Sequence, residues 1–267
     1  MKRRSCLFCP STAKLTGEHL WSEWIGDLLG DRTYVFTRRT HPDDRRDPWT
    51  VESLSQTAKL VCGTCNNGWM SNLESKHAKP AMQSMILADS PVTLSPFQMA
   101  SIAAFAFKST IIAWHMKQTT SRSPFSLASR RRFAQSLAIP DGFQVWLSAL
   151  DRPGGRVYGV WQGHTFKTPV GTPNGFENYV FTFGVGNLLI QSTTSRWAKH
   201  FFRKFSVPLL TQHADADSFA IPIWPNDGRD VVWPPSRHLS NEAIDTFCCR
   251  WKTAALPSVP FSVIRVR

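Results

Sequence analysis

The sequence predicts an α+β fold in which a small N-terminal module precedes a larger mixed domain. Segments with helical spacing of apolar residues alternate with segments rich in β-branched and aromatic residues. Hydrophobic residues make up 42% of the chain, with 11 Trp and 18 Phe, which is enough to bury a large core and excludes a disordered or fibrous protein. Four of the six cysteines lie in two C-x2-C pairs within the first 65 residues. We therefore expect a module over residues 1–80 and an α+β domain over residues 81–267.

Short elements surround the cysteines of the first 80 residues. Gly30 is expected to end a short amphipathic helix, and Pro80 to kink or divide a longer one. Aromatic and β-branched content predicts the strands, two of which would form a hairpin with a long tip. The expected elements are a knuckle over 1–16, a helix through 21–28, strands over 33–37, 49–53 and 57–61, and a helix from about Gly68.

After residue 80 the sequence predicts further helices and strands. Ser95-Pro96 favours a helix start, because Ser can cap free amides and Pro loses no hydrogen bond at the first helical position. The most apolar run, Met99–Phe107, is about half of the ~20 residues that span a bilayer, and Lys108 interrupts it, so we expect a buried helix that continues to Met116. The other expected elements are helices over 130–137, 196–205 and 242–251 and strands over 143–149, 157–161 and 179–190.

Two C-x2-C pairs are typical of a structural zinc site. Each pair places two thiolates at two corners of a tetrahedron, and four thiolates leave no position open for a substrate. No secretory signal is visible, so we expect a cytoplasmic protein, in which such pairs favour metal over disulfide. The alternative is two unrelated clusters of buried thiols. The predicted Zn²⁺ ligands are Cys6, Cys9, Cys62 and Cys65.

Between the two pairs lies Glu18-His19, and Asn66 directly follows the last cysteine. This order resembles the HNH, or ββα-metal, endonuclease superfamily with its treble-clef zinc module, and within it the recombination endonuclease VII arrangement. The resemblance covers about residues 5–80. Many members carry Asp at the position of Glu18 and His at the position of Asn66, and residues 20–61 contain no Asn to match the central Asn of the motif.

The resemblance implies a divalent-metal-dependent endonuclease that hydrolyses phosphodiester bonds in DNA. His19 would be the general base that activates water, and Glu18 with Asn66 would hold one Mg²⁺ or Mn²⁺, leaving positions open for phosphate and water. Each of these three residues could instead have a role that is not catalytic. Glu18 and His19 could form a solvated helix N-terminus, Asn66 could be a helix cap, and His77 could replace Asn66 as ligand, although we expect a packed or exposed histidine there.

The chain is strongly basic, with a formal net charge of +12 and a sequence pI of about 9.8. Such a charge attracts polyanions, so DNA is the expected partner, and an anionic membrane surface is the competing one. One face of the helix expected over 196–205 would contact phosphates, as would Arg130 to Arg132, unless this face is only a solvated surface. The predicted DNA-binding residues are Arg196, Lys199, Arg203 and Lys204.

Two other functions compete with the nuclease hypothesis. A non-catalytic zinc-containing DNA-binding protein would keep the zinc fold and the basic surface without a working site for the second metal. A nuclease effector of a defence or toxin system would use residues 81–267 to sense a ligand or partner. No motif assigns a role to these residues, for which DNA binding, targeting or regulation are the options. A homodimer would be convenient for cutting both strands.

Overall fold

The computed structural model of the chain describes residues 5–30, 34–39, 48–51, 57–88, 90–116, 123–151, 159–168, 176–195, 219–240, 243 and 261–264. Within these ranges the protein is a mixture of helices and several antiparallel sheets, which confirms the predicted α+β class. The helices expected over 196–205 and 242–251 lie outside the described residues. So do the four predicted DNA-binding residues Arg196, Lys199, Arg203 and Lys204.

A two-stranded antiparallel ribbon leads into a helix in the N-terminal part. Strand β1 (Leu15–His19) pairs with β4 (Thr57–Cys62), and the helical segment begins immediately at Gly63. The sequence did not predict β1, because LTGEH has little β-branched content and a glycine at its centre. Helix α1 (Glu23–Leu29) follows the ribbon's first strand and ends at Gly30, as expected.

A separate three-stranded sheet contains the predicted hairpin. Strand β2 (Tyr34–Arg39) pairs antiparallel with β3 (Pro48–Val51), which confirms the hairpin. On its other edge β2 pairs with β12 (Phe261–Ile264), near the opposite end of the sequence. This small sheet therefore joins segments that are far apart along the chain.

The helical segment that starts at Gly63 is longer and less regular than predicted. Helix α2 (Gly63–Cys65), the π-helical turns Asn66–Met70 and Leu73–Ala78 and helix α3 (Lys79–Leu87) follow one another closely. The kink lies at Gly68, whose backbone is non-helical with φ −96° and ψ −110°. Pro80, which was expected to kink or divide the helix, does not kink it, because it lies in the first turn of α3, where proline is tolerated. A division does lie there, since the π-helical turn ends at Ala78 and α3 begins at Lys79.

A long central helix, α4 (Pro96–Met116), lies in the core as the sequence predicts. Ser95 Oγ accepts a bond from the Gln98 amide at 3.3 Å, and the Ser95 amide donates to Gln98 Oε1 at 2.9 Å, which forms a capping box. The helix is long and apolar enough to cross a membrane by length and composition, but 83% of its most apolar stretch is buried inside the protein. It is therefore a core helix.

The second half of the described chain is built on a five-stranded antiparallel sheet. Its strands are β6 (Phe143–Ala149), β7 (Gly159–Thr168), β8 (Phe176–Val185), β9 (Leu188–Ser195) and β10 (Ile221–Trp224). Their order across the sheet is β10-β6-β9-β8-β7, and the single strand expected over 179–190 is in fact two strands with a turn at Gly186, where φ is +61°. Helix α5 (Leu127–Ser136) precedes the sheet, and a two-stranded pair, β5 (Val92–Leu94) with β11 (Val231–Trp233), flanks it.

One hydrophobic core runs through both halves of the described chain. It includes Cys6 and Phe8 of the knuckle, Trp21 and Ile25 near α1, and much of α4 and the large sheet. The Trp21 ring lies 4.4 Å from the ring of Phe183 in β8. The boundary at residue 80 stays a prediction, and the packing of apolar side chains is continuous across it.

Candidate metal centre and adjoining ion-pair cluster

The four cysteines of the two C-x2-C pairs come together at the base of the ribbon. Their Sγ atoms all lie within 4.8 Å of one another, and all four are free thiols. The Sγ atoms of Cys9 and Cys62 are 3.6 Å apart, close to the roughly 3.8 Å that a tetrahedron with Zn–S bonds of about 2.3 Å requires. Cys6, Cys9, Cys62 and Cys65 could therefore hold a zinc ion, and the arrangement is compatible with a treble-clef module.

Backbone hydrogen bonds shape the knuckle and hold it against the ribbon. The Cys6 amide donates to the Ser11 carbonyl at 2.9 Å, and the Leu7 amide donates to the Leu60 carbonyl at 3.1 Å. The Cys62 amide donates to Cys6 Sγ at 3.3 Å, as amides do around metal-bound sulfur. The two cysteine pairs are thus fixed by hydrogen bonds of the chain itself.

The thiols differ in how readily they ionise. Burial acts to raise the pKa of Cys62, but the Cys65 amide and the neighbouring thiols lower it to about 7. Burial raises the pKa of Cys65 and of Cys9 above the usual thiol range. Of these three thiols Cys62 ionises first, and metal binding would have to displace the protons of Cys9 and Cys65.

A cation from α5 lies beside the knuckle. Arg130 Nη1 donates to the Leu7 carbonyl at 2.9 Å, which anchors α5 on the cysteine loop. Burial and the neighbouring charge of Arg131 lower the pKa of Arg130, whereas the Cys6 thiol acts to raise it. Four thiolates around Zn²⁺ carry a net charge of −2, so this guanidinium would offset part of that charge.

Asn66 connects the start of the helix to strand β1. Its Nδ2 donates to the Gly17 carbonyl at 3.0 Å and to Thr16 Oγ1 at 3.2 Å. Strand β1 approaches β4 closely here, since a Cβ on Gly17 would lie 3.3 Å from the Cβ of Thr57. With Nδ2 turned to the strand, the amide oxygen of Asn66 points the other way and is chemically suited to a hard cation.

His19 and Glu18 lie on opposite faces of β1, because side chains alternate along a strand. His19 is the last residue of the strand, pairs with Thr57 and is half-buried. Glu18 is only 3% exposed and its side chain is turned into the protein. Asn66 is therefore hydrogen-bonded to the short strand that ends at His19. The Glu18 side chain of the same strand points into the protein.

Glu18 belongs to a buried ion-pair cluster. Lys108 of α4 is fully buried, and its Nζ lies 2.7 Å from Glu18 Oε1 and also contacts Glu74 Oε1. Burial acts to lower the pKa of Lys108, but the charges of Glu74 and Glu18 raise it above its usual value, so Lys108 is protonated at neutral pH. The Glu74 side chain is 19% exposed and is the member nearest to solvent. The cluster carries a net charge of −1.

Glu74 and Lys108 were not among the residues predicted from the sequence. The signal for Lys108 was a single charged residue inside a long apolar helix, where an unpaired charge would be very costly. The signal for Glu74 was weaker and consisted of its spacing from Asn66. The two residues are eight positions apart, and the wide π-helical turns bring residues at that spacing to one side of the helix. His77 packs against the Phe97 ring at 5.7 Å, which agrees with the expected packed histidine.

No known family, curated protein or solved structure matches the chain. The likeness to the HNH superfamily therefore depends on the order of residues in the motif and on the gathering of the four thiols.

Proposed function

We propose that the chain is a divalent-metal-dependent endonuclease that hydrolyses phosphodiester bonds in DNA and contains a structural zinc site. One observation carries the proposal. Asn66 follows Cys65 directly and is hydrogen-bonded across 49 residues of sequence to Gly17, two residues before His19. The Asn66 amide thus joins the helical segment that begins at the second cysteine pair to the strand that ends at His19.

In the proposed mechanism, His19 accepts a proton from the attacking water. An imidazole is suited to this role because its ordinary pKa is close to neutral pH. The amide oxygen of Asn66 and the carboxylate of Glu18 would hold the Mg²⁺ or Mn²⁺ ion, which supplies charge neutralisation at the scissile phosphate. The Glu18 carboxylate would use the oxygen that Lys108 does not contact.

Basic residues near the knuckle would contribute DNA affinity. Arg131 and Arg132 follow Arg130 on α5, and Arg132 is exposed. Among the described residues, neither Arg131 nor Arg132 has a carboxylate partner. Unpaired guanidinium groups on a helix anchored at Leu7 would bind phosphates in a salt-dependent and sequence-independent way.

Plasmid nicking tests the proposal. Wild-type protein should convert supercoiled plasmid to the open circle with Mg²⁺ or Mn²⁺ and not with EDTA. His19→Ala should lower the rate by roughly 10²- to 10⁴-fold, the usual contribution of general base catalysis. His238→Ala changes an exposed histidine and is the matched control, expected to stay within about twofold by the same reasoning. An undiminished rate in His19→Ala, at equal zinc content, would remove the assignment of His19.

A second candidate function is a non-catalytic zinc-containing DNA-binding protein. The observation that favours it is that Glu18 is buried and already paired with a lysine, whereas a metal ligand must be reachable by the metal. Gel-shift binding of DNA by wild-type protein, with no cleavage in Mg²⁺, Mn²⁺, Co²⁺ or Ni²⁺, would favour this function over the nuclease.

A further inference from the structure

We propose that Lys108 is a positioning residue of the nuclease site, holding Glu18 and the end of β1 in place from within the core. The inference rests on the proposed nuclease function for its consequence on catalysis. It assigns a role in the site to helix α4, which lies outside the residues that resemble HNH nucleases.

The location of Lys108 calls for an explanation other than stability alone. It is fully buried in a helix, with the apolar Phe105 and Phe107 buried on one side of it in sequence and the small polar Ser109 buried on the other. Well-packed apolar residues in place of a buried ion pair are often as stabilising or more so, so buried charges are weak evidence for a role in stability. Buried ionisable groups with specific charge partners are concentrated at functional sites, so the contact between Lys108 and Glu18 points to a role in the site.

The contacts of Lys108 join three elements at one point. Nζ of Lys108 contacts Glu18 from β1 and Glu74 from the π-helical turn Leu73–Ala78, while the lysine itself belongs to α4. Among the described residues, no further partner binds the Glu18 carboxylate. Lys108 therefore sets the orientation of that carboxylate.

Fixing Glu18 also fixes His19. Because neighbouring side chains of a strand point to opposite faces, an inward Glu18 turns His19 outward. One residue earlier, Asn66 binds the Gly17 carbonyl. Two consecutive residues of β1 are thus held by two different helical segments, and His19 follows them directly.

Carboxylates that bind metals are themselves hydrogen-bonded by surrounding groups, and loss of such a partner typically costs 10–100-fold in metal affinity or activity. Lys108 has the place of such a partner, because it contacts Oε1 of Glu18 and leaves the second oxygen without a partner among the described residues. Misplacement of a reacting group by about 1 Å can cost a similar factor in rate.

The test compares three variants of the full-length, zinc-loaded protein. Lys108→Met removes the charge, Glu74→Gln weakens only the outer anchor of Lys108, and Lys76→Met is the matched control, an exposed lysine on the neighbouring helix. Lys108→Met should lower kcat for plasmid nicking by roughly 10–100-fold with KM for DNA within about threefold. Glu74→Gln should lower kcat by less, and Lys76→Met should leave both parameters unchanged. Lys108→Arg, which keeps the charge, should recover part of the loss.

A second readout does not depend on cleavage. Hydrogen–deuterium exchange of the β1 amides, residues 15–19, should be roughly tenfold faster in Lys108→Met than in wild type, because a strand that has lost an anchor opens locally more often. Exchange in β6 should stay the same. Faster exchange together with a wild type that never cleaves DNA would sink the nuclease proposal and leave the positioning role of Lys108 intact.

The inference is overturned if Lys108→Met is zinc-loaded and cleaves with wild-type kcat, or if β1 exchange does not change. It is also overturned if Lys108→Met proves too unstable to assay and Glu74→Gln, which changes a partly exposed residue, affects neither kcat nor β1 exchange.

Discussion

Substitution of Trp21 tests whether the cysteine module and the large sheet share one core. Trp21 is fully buried, and its ring lies 4.4 Å from Phe183 in β8. Trp21→Ala should cost about 3–5 kcal/mol in the free energy of unfolding, the usual range for deletion of a large buried ring. With an unfolding entropy of about 2.1 cal/mol/K per residue, a chain of this length gains roughly 0.56 kcal/mol/K, so Tm should fall by about 5–9 °C.

The assay is scanning calorimetry with a zinc indicator in the same cell. If the core is shared, Trp21→Ala should lower by the same amount the temperatures of the calorimetric transition and of zinc release. Trp21→Phe should cost less, because a ring remains and the indole N–H, which has no hydrogen-bond partner among the described residues, is removed. Phe97→Ala, at a 66% exposed ring, is the control and should change Tm little. Zinc release that precedes the main transition and does not shift with Trp21→Ala would refute the shared core.

Three further predictions follow from the site and its surroundings. Cys62→Ser should bind less than one zinc per chain by elemental analysis and should lose its cooperative thermal transition, since the metal site supplies folding free energy; full zinc occupancy would contradict the predicted tetrathiolate site. Asn66→Ala removes two hydrogen bonds to β1 and should cost about 1–3 kcal/mol in urea unfolding and slow plasmid nicking; unchanged values of both would show that the strand is held without it. Burial lowers the pKa of His115 below its unfolded value of about 6.5, so the unfolded chain takes up the extra proton and stability is lost as pH falls below about 6.5. His115→Gln should flatten that part of the pH profile of Tm, and a profile identical to wild type would exclude His115 as its source.

Local signals explain which parts of the fold could be predicted from sequence. The capped helix at Ser95, the helix end at Gly30 and strand β6 follow from capping residues, glycine and aromatic content, which act within a few residues. Strand β1 was missed because its stability comes from pairing with β4, about 40 residues away, rather than from its own composition. Pairing between distant segments leaves little trace in a local window.

The same difference between local and long-range signals explains which parts of the candidate site could be predicted. The grouping of the four thiols was predictable, because spacing within a C-x2-C pair reflects the geometry of one metal ion. The inward orientation of Glu18 was not predictable, since its partner Lys108 is 90 residues away and only the folded chain brings the two charges together. The role of Glu18 as a cation ligand, and that of His19 as a base, stay predictions that the nicking experiments address.

The pairing of β12 with β2 has a consequence for synthesis of the protein. Phe261 lies opposite Arg39, roughly 220 residues later in the chain. At 5–20 residues per second, a ribosome needs roughly 10–45 s to reach the partner strand after β2 has emerged. During that interval one edge of the β2–β3 hairpin has open backbone donors and acceptors, which can bind other nascent chains. Slow translation or crowded polysomes should therefore favour aggregation of this protein before β12 is synthesised.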